Sequence, residues 1–284
     1  MGILNDLKGR YTTGNIVEKL IYINIAVFII AMLVSVFQGL YKGEANFLMQ
    51  WFSLDADTNT LLTRPWSLIS YGFLHAGFLH ILFNSIALYF VGNLFIQYFT
   101  QKQLLNFYLL GTFFGGLLYL FSQNYFPLFE GKSSYLVGAS AGVSAIFVGI
   151  TTYIPNYQLK FPLIGFVKLW HVTAVWIGLD ILGLVGANAG GNFAHLGGSL
   201  FGFLYVYKAS NKEITIFDSL SSIFKRKEKP LKTVYKSKSK KSEVKTPENL
   251  NQKEIDHILD KISKSGYDTL TKTEKEFLFK QGKK

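Results

Sequence analysis

Apolar residues in this chain come in long unbroken runs rather than in stripes. Six runs stand out: Leu20 to Leu40, Leu79 to Phe99, Leu104 to Phe121, Val137 to Ile154, Leu169 to Gly186, and Phe193 to Tyr207. A run of ~20 apolar residues is long enough, as a helix, to cross the hydrocarbon core of a bilayer. The last three sit at the short end, which calls for a locally thinned bilayer or for helices that span incompletely. Gly111, Gly115 and Gly116 in the third run have the small-residue spacing that lets membrane helices approach closely. The pattern predicts an all-α, polytopic membrane domain of six transmembrane helices over 20–210, after an N-terminal segment 1–19.

The stretch from Leu40 to Pro65 is long and not polar throughout; it holds Phe47, Leu48, Met49, Trp51 and Phe52. Loops of that length usually carry helical pieces of their own, and Trp and Phe suit an element lying in the membrane interface. Beyond the sixth run, 211–253 reads as a basic, Ser/Lys-rich, disordered linker close to anionic lipid. Apolar spacing returns over 254–284. Ile255, Ile258, Leu259 and Ile262 repeat at helical intervals, Ser265-Gly266 reads as a stop, and Thr271 to Glu274 is a capping box before Phe277, Leu278 and Phe279. Two short amphipathic helices follow, with an unknown partner as their expected use.

Charge sharpens the topology. Only 17% of the chain is charged, and the net charge of +11 comes largely from the region after the sixth run. From Lys225 to Lys245 there are ten basic residues against Glu228 and Glu243. Lys8, Arg10, Lys19, Lys102, Lys160 and Lys168 fall on the same side, while Lys42 and Arg64 are offset by Glu44, Asp55 and Asp57 on the other. The positive-inside rule then puts both termini in the cytoplasm and sets the partner of the basic charge as the lipid bilayer, not nucleic acid. The first run is too long for a signal-peptide core, and Asp6 stands where an N-myristoylation signal needs Ser or Thr. The expected site is a bacterial inner (cell) membrane, multi-pass. With no cysteine in the chain, disulfides, thiolate nucleophiles and cysteine-ligated metals are excluded; no cofactor and no metal are expected.

Three polar clusters interrupt the apolar runs: His80 to Asn84, Gly138 to Gly142, and Ala194 to Gly198. Polar side chains at membrane depth are costly unless paired, which makes them functional candidates. Ser140 and His195 are the two parts of a nucleophile–base pair. They lie near the starts of runs four and six, hence at similar depth near the outer face. His80 and Asn84 are four apart on one helix face and offer donors suited to an oxyanion; His75 precedes them as a supporting candidate. Each cluster alone also has a packing explanation, since small residues, interfacial histidines and polar pairs commonly join membrane helices. The string Gly138-Ala-Ser-Ala-Gly142 satisfies the G-x-S-x-G elbow pattern, but that elbow needs a strand ahead of it and a soluble α/β domain, and neither is expected here.

Taken together, the chain resembles the rhomboid intramembrane serine proteases. The resemblance rests on Arg64-Pro65-Trp66, His80-x-x-x-Asn84, Gly138-x-Ser140 and Ala194-His195-x-x-Gly198-x-x-x-Gly202, and spans roughly Ile16 to Tyr207. It implies Ser140 as nucleophile and His195 as base, a dyad without a carboxylate. It also implies His80, Asn84 and the Ser140 N–H as oxyanion donors, and transmembrane proteins as substrates, with a small side chain before the scissile bond. Two positions depart from the family pattern. Ala141 replaces a glycine, and Ser144 stands where many relatives carry an aromatic that stacks on the histidine, so another residue must orient His195. Asp180 is expected to bond a neighbouring helix rather than to join the site, His171 to be interfacial and His257 solvated. Gly190 and Gly191 are expected to let Asn188 to Asn192 lift as a cap, with run five moving as a gate. The alternative class is a catalytically inactive rhomboid-like protein binding transmembrane clients. A transporter fits less well, for want of an inverted repeat.

Overall fold

The computed structural model describes residues 9, 11–41, 46–162, 164–208 and 247–281. Lys8, Arg10, Lys42, Glu44 and all of 209–246, with the ten basic residues of the expected linker, lie outside the described residues. The chain divides into two compact units, Met1–Arg226 and Lys227–Lys284.

The first unit is helical. Helix α1 (Ile16–Leu40) starts on a capping box, with the Asn15 side chain accepting from the Val17 and Glu18 N–H groups and Glu18 returning to Asn15. The first loop does carry its own helices, α2 (Phe47–Phe52) and α3 (Thr58–Thr63), with a two-residue strand β1 (Leu54–Asp55) between them. A short turn, α4 (Ser67–Ser70), runs on into a 3-10 turn at Tyr71–Phe73. Helices α5 (Phe78–Phe95) and α6 (Gln101–Tyr125) follow, then β2 (Tyr135–Leu136), α7 (Ser140–Tyr153), β3 (Gln158–Phe161), β4 (Gly165–Lys168), α8 (Leu169–Leu182) and α9 (Ala189–Lys208). The β3–β4 hairpin, paired from Gln158↔Lys168 to Phe161↔Gly165, is not expected from the sequence, where it hides in a short connection.

By length and composition α1, α5 and α6 can each cross a membrane. Helices α7 and α8 are apolar but have 14 residues each, about 21 Å at 1.5 Å per residue and short of the ~30 Å core. Many large apolar side chains face outward, among them Phe83 and Phe90 of α5 and Val175, Leu179 and Leu182 of α8, as a lipid solvent allows.

Helix α7 is the centre. Every residue from Ala141 to Thr151 is buried, which is the signature of a helix apolar all round. It is packed between α6 and α9 through small residues four apart. Gly198 and Gly202 of α9 lie so close to the carbonyl oxygens of Ala141 and Ala145 that a side chain on either would overlap them. From the other side, Gly111 and Gly115 of α6 receive the methyl groups of Ala145 and Ala141. This is the small-residue seam that membrane helices use in place of hydrophobic burial. Farther along, Phe107, Ile146, Ile150 and Tyr205 continue the core, joined by Leu20 of α1 and Leu88 of α5.

The first loop is fastened by the Arg64-Pro65-Trp66 motif. The Trp66 indole N–H donates to the Trp51 carbonyl at 2.9 Å, and the two rings stack at 6.3 Å. The Arg64 guanidinium donates to the Gln50 carbonyl and lies 4.5 Å over the Trp51 ring.

The second unit is a helical hairpin: α10 (Pro247–Ser265), a 3-10 turn (Tyr267–Thr269) and α11 (Lys272–Gln281). The first helix starts at Pro247, earlier than the expected 254. It ends at Gly266, whose φ of +83° favours glycine. The expected capping box forms: the Thr271 N–H donates to Glu274 Oε2 at 2.7 Å and the Glu274 N–H to Thr271 Oγ1 at 3.4 Å. Lys261 of α10 reaches the same carboxylate at 2.9 Å.

Two predictions follow from these contacts. A valine at Gly202 meets the Ala145 backbone, which cannot withdraw; Gly202→Val should therefore cost at least ~1–3 kcal/mol, read as a clear fall in the thermal midpoint in detergent, while Leu200→Val on the exposed side should leave the midpoint nearly unchanged. In the hairpin, the Thr271 N–H and then Lys261 hold the Glu274 carboxyl down at about 2 against its ordinary 4.5. A depressed carboxyl stabilises above its unfolded value and loses that support as pH falls through the folded one. Protection of the amides over 272–281 in the full chain, taken relative to their intrinsic exchange rate at each pH, should fall between pH 4.5 and about 2, and Glu274→Gln should flatten that dependence.

Candidate active site

Ser140 is the first residue of α7, and the chain ahead of it is held on both sides. Leu136 and Tyr135 pair antiparallel with Leu54 and Asp55, so a two-residue strand does precede the serine, contrary to expectation. It is a bridge to the first loop, not the central strand of an α/β sheet, and the soluble-hydrolase reading stays excluded. Gly138 then turns with φ +128°, a conformation that other residues resist. Its N–H donates to the Tyr71 carbonyl at 3.0 Å. Tyr71 is buried, and its hydroxyl donates to the Thr112 carbonyl of α6 at 2.7 Å. The approach to the serine is thereby tied to α6.

As α7 begins at Ser140, its first backbone N–H groups have no carbonyl within the helix; the first such bond is from Val143 to Ala139 at 3.0 Å. These groups and the helix dipole favour negative charge beside Ser140. The Ala141 departure is absorbed by Gly115. A Cβ at Gly115 would sit 2.6 Å from the Ala141 methyl, so the missing side chain on α6 makes room for the extra one on α7.

His195 comes from the second turn of α9. Its Nε2 lies 2.7 Å from Ser140 Oγ, across the seam that joins α9 to α7. Its Nδ1 lies 2.7 Å from Asp180 Oδ1 of α8. Asp180 does bond a neighbouring helix, α9, and the residue it meets there is the candidate base itself. Trp176, one helical turn before Asp180, sets its ring 6.1 Å from the imidazole and donates its indole N–H to Ser144 Oγ at 3.2 Å. The residue at 144 thus reaches His195 through a tryptophan on α8.

His80 and Asn84 stand near the start of α5. A Cβ placed on Gly138 would fall 2.8 Å from His80 Nε2 and 3.5 Å from Ser140 Oγ, so the His80 ring and the serine border one small space. His75 packs edge-on against His80, ring centres 5.1 Å apart, and is buried. Asn84 is at the limit of burial, and its amide donates to the His80 carbonyl at 3.0 Å. Among the described residues no hydrogen bond joins Asn84 to Ser140, although one amide hydrogen is left for another acceptor. His171 lies against Trp170, with ring centres 3.8 Å apart, and takes no part.

A cavity of about 550 Å³ opens beside His80, lined by Val137, Lys132, Ser134, Gln123 and Asn188 among others. Its mixed lining suits water. The cap expected over Asn188 to Asn192 is corrected: Gly190 and Gly191 belong to the first turn of α9, closed in by Tyr119 and by the Asn188 side chain. The irregular segment is the 3-10 turn Gly183–Val185 and the three residues after it. Nothing in the sequence placed Asp180 or Trp176 beside His195, although a carboxylate inside an otherwise apolar helix was an available signal.

Residues 62–212, just over half the chain, match the family model of the Rhomboid domain, and 245–284 match a family of unknown function, DUF6576. The chain is similar to the Rhomboid protease GlpG of Yersinia pseudotuberculosis, 25% identical over 169 residues, covering 56% of this chain and 53% of that protein. It is similar to the mitochondrial Presenilin-associated rhomboid-like protein A of Danio rerio, 27% identical over 165 residues, covering 57% and 41%. To RHOMBOID-like protein 4 of Arabidopsis thaliana it is 33% identical over 141 residues, covering 49% and 32%. The chain thus spans from about a third to just over half of the length of these relatives. With a matching family model laid over the elements that carry Ser140, His195, His80 and Asn84, the chain belongs to the rhomboid family of multi-pass membrane proteins.

Proposed function

We propose that this chain is an intramembrane serine endopeptidase that hydrolyses peptide bonds in or near the transmembrane segments of membrane-protein substrates. The observation that carries the reading is the 2.7 Å approach of His195 Nε2 to Ser140 Oγ, made between helices α7 and α9. As Ser140 attacks the scissile carbonyl, His195 Nε2 takes the hydroxyl proton and later returns it to the leaving amine. Water then enters to hydrolyse the acyl-enzyme. The oxyanion is met by the free N–H groups at the α7 N-terminus and by the His80 and Asn84 donors.

Hydrolysis in a bilayer requires water to reach the serine, and the cavity beside His80 is the route we assign to it. On this reading the six helices α1, α5, α6, α7, α8 and α9 all cross a bacterial inner membrane with both termini cytoplasmic, and the cavity opens outward. Substrate arrives laterally. Helix α8 is loosely packed, with only Leu169, Thr173 and Asp180 buried, and it is the element we assign to move aside. A substrate helix must unwind before its carbonyl is accessible, so Gly, Pro or other helix-weakening residues near the outer face are favoured.

The rival reading, a client-binding pseudoprotease, keeps the fold and gives up the chemistry. The full chain reconstituted with a fluorogenic transmembrane substrate separates the two. Wild type should cleave and react with a fluorophosphonate probe; Ser140→Ala should do neither while melting normally, and Asn84→Ala should lose up to ~10²-fold in rate because other donors persist. Cleavage by Ser140→Ala at the wild-type rate would overturn the assignment, and a wild type inert to both substrate and probe would favour the binder.

A further inference from the structure

We infer that Asp180 is a positioning residue for His195, so that this rhomboid works with a serine–histidine–aspartate relay in which α8 supplies the orientation. The inference rests on the protease reading above and extends it. Three observations carry it. The first is geometric: Asp180 Oδ1 is 2.7 Å from His195 Nδ1, and His195 Nε2 is 2.7 Å from Ser140 Oγ. The imidazole thus has one nitrogen committed to each neighbour, and a carboxylate acceptor requires the proton on Nδ1. That leaves Nε2 with its lone pair toward the serine hydroxyl, the arrangement a general base needs.

The second is the state of the carboxylate. Asp180 is buried, and among the described residues its Oδ2 finds no protein partner. A carboxylate retained only to join helices would be expected to have both oxygens satisfied, because a buried lone pair left idle is costly. Its single bond goes to the candidate base, so helix-joining and base-orienting are one contact here.

The third is what stands around the ring. Ser144 of α7 is too small to hold the imidazole, and its hydroxyl instead accepts the Trp176 indole N–H at 3.2 Å. Trp176 and Asp180 are four apart and so share one face of α8. That face offers the ring a flat apolar wall on one side and an acceptor at its edge. His80 of α5 is a titratable group electrostatically coupled to this imidazole, and it carries no negative charge that could replace the carboxylate. In the proton transfer Asp180 stays ionised. The Nδ1 proton remains on the ring throughout, and the carboxylate steadies the imidazolium that forms when Nε2 takes the serine proton.

The test uses the full chain in proteoliposomes with a fluorogenic transmembrane substrate. Asp180→Asn should lower kcat by about 10²-fold, short of the ~10⁴ seen for the buried aspartate of soluble serine proteases, because the seam still holds Ser140 and His195 together. KM should be unchanged. A folded Asp180→Asn protein with wild-type kcat would overturn the inference while leaving the protease reading intact. Loss of cleavage in wild type itself would strike the protease reading instead. A second measurement needs no variant at the aspartate: nitrogen-15 spectra of histidine-labelled wild type, with His195 assigned by its absence in His195→Gln, should show the Nδ1-protonated tautomer. The Nε2-protonated tautomer would overturn the relay even if Asp180→Asn fails to fold.

Discussion

The structure depends on backbone meeting backbone without side chains between. The carbonyls of Ala141 and Ala145 press against Gly198 and Gly202, and the methyl groups of the same alanines fill the space left by Gly111 and Gly115. In lipid, apolar surface gains little by leaving one greasy neighbour for another, so close packing of this kind must hold the helices. The same seam sets the reaction geometry. Ser140 is one residue before Ala141 and His195 is three before Gly198. Registering the glycines of α9 on the carbonyls of α7 thus brings imidazole and hydroxyl to 2.7 Å. The contact that replaces hydrophobic burial is therefore also the contact that aligns the candidate nucleophile with its base.

Around that seam the polar groups are arranged by helix ends. Ser140 opens α7, so its surroundings carry the unpaired N–H groups of a helix start. Gly138 lets the chain turn into that start with the His80 ring alongside, since a side chain there would occupy the space between His80 and Ser140. The first loop contributes from a distance: Leu54 pairs with Leu136, and Trp51 is clamped by Arg64 and Trp66. The Arg-Pro-Trp motif thus works on the scaffold of the site, not on its chemistry.

What was legible in the sequence was whatever a single segment decides by itself. Apolar run length marked the helices, and polar residues inside those runs marked Ser140, His195, His80 and Asn84, because a membrane makes such residues costly wherever they stand. The Thr271–Glu274 box was legible for the same reason, as capping is local chemistry. What was not legible depended on which faces meet. Asp180 is visible as a carboxylate in an apolar helix, yet nothing in the spacing of α8 says that this face turns toward α9. The start of α9 was read four residues late, because Gly190, Gly191 and Asn192 are poor helix formers in isolation. Gly190 packs so close to the Tyr119 ring that a side chain would overlap it, and tertiary contact overrides propensity there. The β3–β4 hairpin escaped because a four-residue pairing leaves no periodicity to detect.

The departures at 141 and 144 show how such a site can change without losing its reactive groups. An added methyl at Ala141 is tolerated because the facing residue is a glycine, so the volume gained on α7 equals a volume missing on α6. A lost ring at Ser144 is answered differently: the hydroxyl becomes an anchor for Trp176, and the wall beside His195 is built from the next helix. The two solutions differ mechanically. The first sits in the glycine–alanine seam between α6 and α7. The second hangs on α8, whose outward side is lined by exposed Val175, Leu179 and Leu182. Orientation of the imidazole is thereby shared between a rigid α7–α9 frame and a loosely packed helix. A substrate that displaces α8 must disturb Trp176 and Asp180 before it can disturb the serine and histidine themselves.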